Sequence, residues 1–172
     1  GYLLDNHVEY RGGLYQGVRG TNAANDLRFT GRVMYSFFTP QVGLFYRGTS
    51  LGKTQTLSIG GSYDTQEEYD SIGLDFFWDQ PIGESAFVFQ ADYVNTDGGS
   101  FITALAEQTN MLFETGFYFS SIRLQPFLQY ATQNFNDASR VDEERLTAGL
   151  SYYINGHNNN LKISYTKIEP DA

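Results

Sequence analysis

Eleven ionisable residues recur at even spacings inside runs that otherwise alternate apolar with polar: Glu9, Arg11, Arg28, Arg32, Asp75, Asp79, Asp92, Glu114, Arg123, Arg145 and Lys162. Side chains two residues apart on an extended chain point the same way, so these residues form one ionic surface of six cations and five anions. Such a surface holds cations on its acids and anions on its arginines, with no covalent step. Other chemistries find less to work with. GTSLGKT, Gly48 to Thr54, looks like a phosphate-cradling loop, but that motif needs four residues between its glycines and a helix after it. Three are present, and a strand pattern follows. His7 and His157 stand far apart without ligand spacing, and His157 sits in an Asn-rich turn, where a polar turn role is the simpler reading. A hydrolase needs Ser or Asp beside a positioned His, and only those two histidines exist. The chain therefore reads as a non-enzyme with no cofactor and no metal.

The elements that must carry the ionic residues are strands. Alternating runs span His7 to Gln16, Leu27 to Phe38, Thr54 to Asp64, Ser71 to Asp79, Ala86 to Asn95, Thr109 to Ser120, Arg123 to Asn134, Arg145 to Ile154 and Leu161 to Ile168. No helical period persists, and FITALAEQ is long enough only for a helical turn in a loop. Between the runs lie GVRGTNAAND, NTDGG, FNDAS and NGHNNN, whose Gly, Asn and Asp tolerate turn dihedrals. At 172 residues the chain is one domain, 1–172, and its 16% aromatic content with 18 Gly is that of an all-β protein. The net charge of −9 argues against nucleic acid as a partner, since a phosphate-binding surface needs clustered Lys and Arg. No stretch of about 18 apolar residues exists, which excludes a transmembrane helix. No leader of charged, apolar and small residues opens the chain, so a secretory signal reads as absent or already removed.

Sorting each run by parity separates two faces. One carries Leu27, Phe29, Val33 and Tyr35, then Leu57, Ile59 and Tyr63, and so on to Leu161, Ile163 and Tyr165, with no charge among them. The other carries the eleven ionic residues among Gly, Ser, Thr and Gln. In a soluble barrel or sandwich the apolar face is the core; in an outer-membrane barrel it meets lipid, and the ionic face lines a wet interior. Three features favour the membrane. Tyr35, Phe37, Tyr63, Trp78, Tyr93, Tyr130 and Tyr152 cluster near strand ends, as interfacial girdles do. The runs have the length a tilted strand needs to cross the hydrocarbon, and the apolar pattern is equally strong in nearly all of them, without the weaker edges of a sandwich.

Loop lengths give a second check, because one rim of such barrels has tight turns and the other longer loops. Gly17 to Asp26, DTQEEYD, NTDGGSFITALAEQ and FNDASRVDEE read as long; QPIGE, SSI and NGHNNN read as short. Thr39 to Lys53 is long yet falls on the short side, and if VGLFYRG within it is a strand the count rises from nine to ten. Asp137, Asp142, Glu143 and Glu144 read either as a solvated acidic rim or as a place for divalent cations bridging lipopolysaccharide, although calcium-loop spacing is missing. Ions within the wall must be hydrated or paired; Glu9 with Arg11, and Glu114 with Arg123 across the SSI hairpin, are the expected pairs.

RGTSLGKTQTLSIGGSYDTQ, GLDFFWDQPIG, FQADYVNTDGG, FETGFYFSSIRLQPFLQY and LSYYINGHNNNLKISYT resemble, in that order, the carboxy-terminal half of phosphate-selective porins of the O/P type. The markers cover Arg47 to Thr166, and YYINGHNNNLK is the most specific. The resemblance implies a trimeric outer-membrane channel of sixteen strands with a lumen graded for anions. The chain departs from that family in length, in its close at IEPDA and in the charge balance of its ionic face. Nine strands leave two unpaired edges in lipid, so the chain reads as part of a longer wall, incomplete at both ends. The expected fold is an antiparallel transmembrane β-barrel portion in the bacterial outer membrane, with lipid and lipopolysaccharide around it. The expected function is passive diffusion of small hydrophilic solutes or ions, anions and phosphate among them. The expected pore lining is Arg28, Arg32, Asp75, Asp79, Asp92, Glu114, Arg123, Arg145 and Lys162. The rivals are a non-conducting barrel that scaffolds surface or electron-transfer partners, and a soluble ligand-binding barrel.

Overall fold

The structure, a computed structural model, describes residues 1–18, 26–43, 48–100 and 102–171. It contains ten strands: β1 (Tyr2–Leu3), β2 (Val8–Tyr15), β3 (Arg28–Ser36), β4 (Thr56–Gln66), β5 (Tyr69–Ile82), β6 (Ser85–Asp97), β7 (Gln108–Tyr118), β8 (Leu124–Phe135), β9 (Asp142–Tyr153) and β10 (Asn160–Asp171). They form one antiparallel sheet in chain order, and no helix occurs among the described residues. β1 and β10 do not pair, so the sheet is open. All nine expected runs are strands; the added one is the two-residue β1.

Turn dihedrals account for the differences from the sequence reading. DTQEEYD is a reversal at residues 67–68 instead of a long loop, because Glu67 takes a φ of 55° and the ladder closes at once from Gln66 to Tyr69. Gly83, with φ 61°, reverses β5 into β6 in the same way. β5 thereby extends beyond the expected run at both ends. β3 pairs directly with β4, so no strand lies between them in the sheet; of VGLFYRG, residues 44–47 lie outside the described residues. The part of FITALAEQ that is described closes turns through Ile102 N–H to Gly98 O and Leu105 N–H to Ile102 O, both 2.8 Å, and forms no helix.

Register assigns every strand residue to a face, since directly opposed partners project together. The exposures are those of an inverted protein. Phe113 and Leu150 are each 42% exposed and Tyr165 75%, whereas the Arg32 side chain is 26% exposed. The buried hydrophobic residues of the strands, Met34, Tyr69, Ala86, Val88, Tyr118, Phe127 and Tyr153, all lie on the ionic face. A single layer can bury one of its faces only by curling toward it, so the ionic face is the concave one.

The outward apolar band runs obliquely to the ladder. On its way to the rim that carries the β4–β5 turn it ends at Asp70 on β5, Asn95 on β6, Thr109 on β7, Thr132 on β8, Glu144 on β9 and Lys167 on β10. Register puts Asn95 and Thr109 one outward row inside Asp70, Thr132 and Glu144 two rows inside, and Lys167 three. With about 3.4 Å per residue and about 4.8 Å between strands, that drift of roughly six residues over roughly five strand spacings tilts the strands about 40° from the band normal.

Candidate pore-lining face

Eight of the nine residues expected to line a lumen share the concave face: Arg28, Arg32, Asp75, Asp79, Asp92, Glu114, Arg145 and Lys162. Arg123 does not. It sits in the β7–β8 turn with a φ of 55°, and its Nη1 donates to Ile154 O at 3.3 Å. Closing the turn takes residue 123 out of the alternation, so parity counted from Gln125 misplaces it, and the expected Glu114–Arg123 pair does not form. Glu114 accepts instead from the Gln129 amide, directly opposite on β8, at 3.1 Å.

The arginines of the face are each committed to an acid. Arg11 pairs with Glu9, as expected, and donates from Nη2 to Gly43 O at 3.0 Å. Arg28 Nε donates to Asp64 Oδ1 at 2.7 Å while its guanidinium lies 5.0 Å from the Tyr69 ring centre. Arg32 grips both oxygens of Asp75, with Nη2 to Oδ1 at 2.8 Å. Gly60 makes that pair possible: a Cβ there would come within 2.5 Å of Asp75 Oδ2 and 2.6 Å of Arg32 Nη2. Arg145 pairs with Glu143. Lys162 has its Nζ 4.0 Å from the Phe127 ring centre, and that ring covers Gly149 across the β8–β9 ladder.

Two acids of the face were not among the expected residues, Asp64 and Glu143. The sequence run assigned to β9 begins three residues late, at Arg145. Asp64 falls at the last position of its run, directly opposite Thr30, and reaches Arg28 diagonally, which no parity reading shows. With them the face carries seven acids, Glu9, Asp64, Asp75, Asp79, Asp92, Glu114 and Glu143, against five cations, Arg11, Arg28, Arg32, Arg145 and Lys162. Among the described residues it is acidic, which corrects the expected balance.

One rim of this face is closed by the chain itself. Residues 48–52 of the β3–β4 connection fold onto the sheet, and Leu51 joins Ala86, Tyr118 and Tyr153 in one buried cluster. Ser50 N–H donates to Asp79 Oδ2, His157 Nε2 donates to Thr49 O at 2.8 Å, and Ser50 Oγ donates to Thr54 O at 2.9 Å. The stretch that resembles a phosphate-cradling loop is thus a strap running from β5 to the β9–β10 turn, followed by a strand. Tyr153 Oη donates to Gln125 Oε1 at 2.7 Å beside it. Next to the strap a cavity of about 350 Å³ is lined by Arg32, Asp75, Asp92, Gln90, Ser58 and Gln41, among others. At the opposite rim the four acids of FNDASRVDEE diverge: Asp137 accepts from Ser139 N–H at 2.9 Å, Asp142 from Phe135 N–H at 2.7 Å, Glu143 turns inward and Glu144 outward. His7, like His157, serves the backbone, through Nδ1 to Ser36 O.

The arrangement sets carboxylates and guanidinium groups along one polar surface, where they can hold hydrated ions. Comparison with family models, with curated proteins and with solved structures finds no match for the chain.

Proposed function

We propose that the chain forms part of the wall of an outer-membrane diffusion channel for small hydrophilic solutes, with the concave ionic face toward water and the apolar band toward lipid. The observation that carries this reading is the oblique band. A planar hydrocarbon layer crossed by tilted strands demands an apolar belt that drifts steadily against the ladder, and the drift here corresponds to about 40°, within the range of about 35–45° for transmembrane barrels. A soluble curled sheet is under no such demand. Aromatic residues sit at the strap rim of the belt, with Trp78 and Phe87 at 5.6 Å and Tyr35 and Phe37 at 4.8 Å between ring centres, as interfacial anchoring requires. The resemblance to phosphate-selective porins of the O/P type supports the same reading, and from it come the sixteen-strand wall and the homotrimer. Both sheet edges then need partners, because unpaired backbone groups in hydrocarbon cost several kcal/mol each.

The test is conductance of the refolded full chain in planar bilayers. Stepwise openings are the expected result. A folded, membrane-inserted but silent protein would instead support the scaffold reading, which the strap across one rim favours.

A further inference from the structure

We infer that the concave face selects cations: small cations and amine-bearing solutes are its favoured class, and phosphate and other anions are disfavoured. The inference rests on the channel reading but reverses the anion preference that the family resemblance implies. Its ground is how the charges are spent. Each of the four arginines on the face is held by a carboxylate, and Lys162 lies on the Phe127 ring. Three acids take their hydrogen bonds from neutral donors. Asp92 accepts from Gln90 Nε2 at 2.6 Å, Glu114 from Gln129 Nε2 at 3.1 Å, and Asp79 from Ser50 N–H. An amide orients a carboxylate without supplying a counter-charge, so the hydrogen bonds from Gln90 and Gln129 leave Asp92 and Glu114 as acceptors facing the track.

Position strengthens the argument. Gln90 stands directly opposite Glu114, and Asp75 directly opposite Asp92, so these side chains form a belt halfway up the face on β5, β6, β7 and β8. Asp92 also lines the 350 Å³ cavity, where a solute would meet it together with the already paired Arg32. Asp79 stands apart from the track: it is fully covered at 0% exposure beneath the strap, and its Oδ1 has no hydrogen-bond partner among the described residues. Only a donor, such as a hydrated cation or a bound proton, satisfies such an oxygen. Rings of acids set cation preference in pores.

Reversal potentials of the full chain in planar bilayers under a KCl gradient test this. The expected sign is that of potassium over chloride, and Asp92→Asn with Glu114→Gln lowers the permeability ratio several-fold toward unity. Arg145→Gln, which frees Glu143, raises it. A chloride-selective sign, or a ratio unmoved by the double variant, overturns the inference while leaving the channel reading intact. If the inserted chain is silent, the channel reading fails separately. Calorimetry on the micelle-bound chain then decides the inference: binding of spermidine in preference to inorganic phosphate supports it, and the reverse preference overturns it.

Discussion

The two rims of the sheet are built on opposite terms. At the strap rim, residues 48–52 cross the concave face, Ala86 is 0% exposed, and Tyr118 and Tyr153 close over Leu51. At the other rim the strands run on past the apolar band into Asp70, Asp97, Glu144 and Glu169, which face outward, and Asp70 stands directly opposite Asp97 while Glu144 stands opposite Glu169. Like charges directly opposed on a dry or apolar surface are destabilising; here they stand where water screens them. One rim is consequently packed beneath the strap; the other carries partly exposed carboxylates on its outward side, while Gln66, Tyr69 and Thr96 stay buried on its concave side. In a membrane setting the second is the end that protrudes, and the first is where the track narrows.

That contrast makes graded predictions. The largest effect belongs to the middle of the band. Leu128→Arg puts a charge at a position that is 54% exposed and outward. Unfolding by urea from lipid vesicles should register about 2–4 kcal/mol of destabilisation, against about 0–1 for Glu144→Arg at the band's edge. Equal costs at the two positions would mean that the band is not bounded by lipid. Next comes the strap. Leu51→Ala removes the apolar anchor of residues 48–52 and should cost about 2 kcal/mol, and with the strap loosened single-channel conductance should rise.

Two glycines separate packed backbone from adaptable side chains. A Cβ at Gly52 would lie 2.3 Å from Glu84 O, and its φ is +80°, so Gly52→Ala should lose about 1–3 kcal/mol. Gly60→Ala meets first the tips of Arg32 and Asp75, which can swing aside; its stability loss should be under about 1 kcal/mol, with the change showing up in ion selectivity. The smallest effect is at the exposed turn of the rim opposite the strap. Glu68 accepts from the hydroxyl and the N–H of Ser100, which hold its carboxyl below the usual range. A depressed carboxylate pKa means that the link between the β4–β5 turn and the β6–β7 loop is fully present above the unfolded-state value and is lost as pH falls through the lower folded-state one. Ser100→Ala should move the Glu68 carboxyl titration, followed by carbon NMR, back toward the ordinary value; an unchanged titration would remove the hydroxyl as its cause.

Most of the strand pattern was legible because its signal is local. A period of two needs only neighbours in sequence, so Phe87, Phe113 and Leu150 sort to one side and Arg32, Asp92 and Glu114 to the other without reference to any distant residue. Errors collected where a strand meets a turn. Arg123 was misplaced because strand ends depend on which residue takes a positive φ, and Glu67 and Arg123 do so without being glycine; Glu143 was missed because β9 starts at Asp142, upstream of the expected run. The strap was not legible at all: Thr49 and His157 meet across 108 positions, and no short-range pattern in GTSLGKT announces such a partner.

From composition and alternation alone follow the all-β class, the nine long ribbons and the separation of greasy from ionic sides, since each reflects only the geometry of an extended backbone. Which side curls inward, how steeply the ladder leans against the apolar belt, and which acids take their hydrogen bonds from neutral donors depend on register, and register is a relation between strands. Pairing Asp75 with Asp92, and seating Arg32 over Gly60, required the strands to be laid side by side.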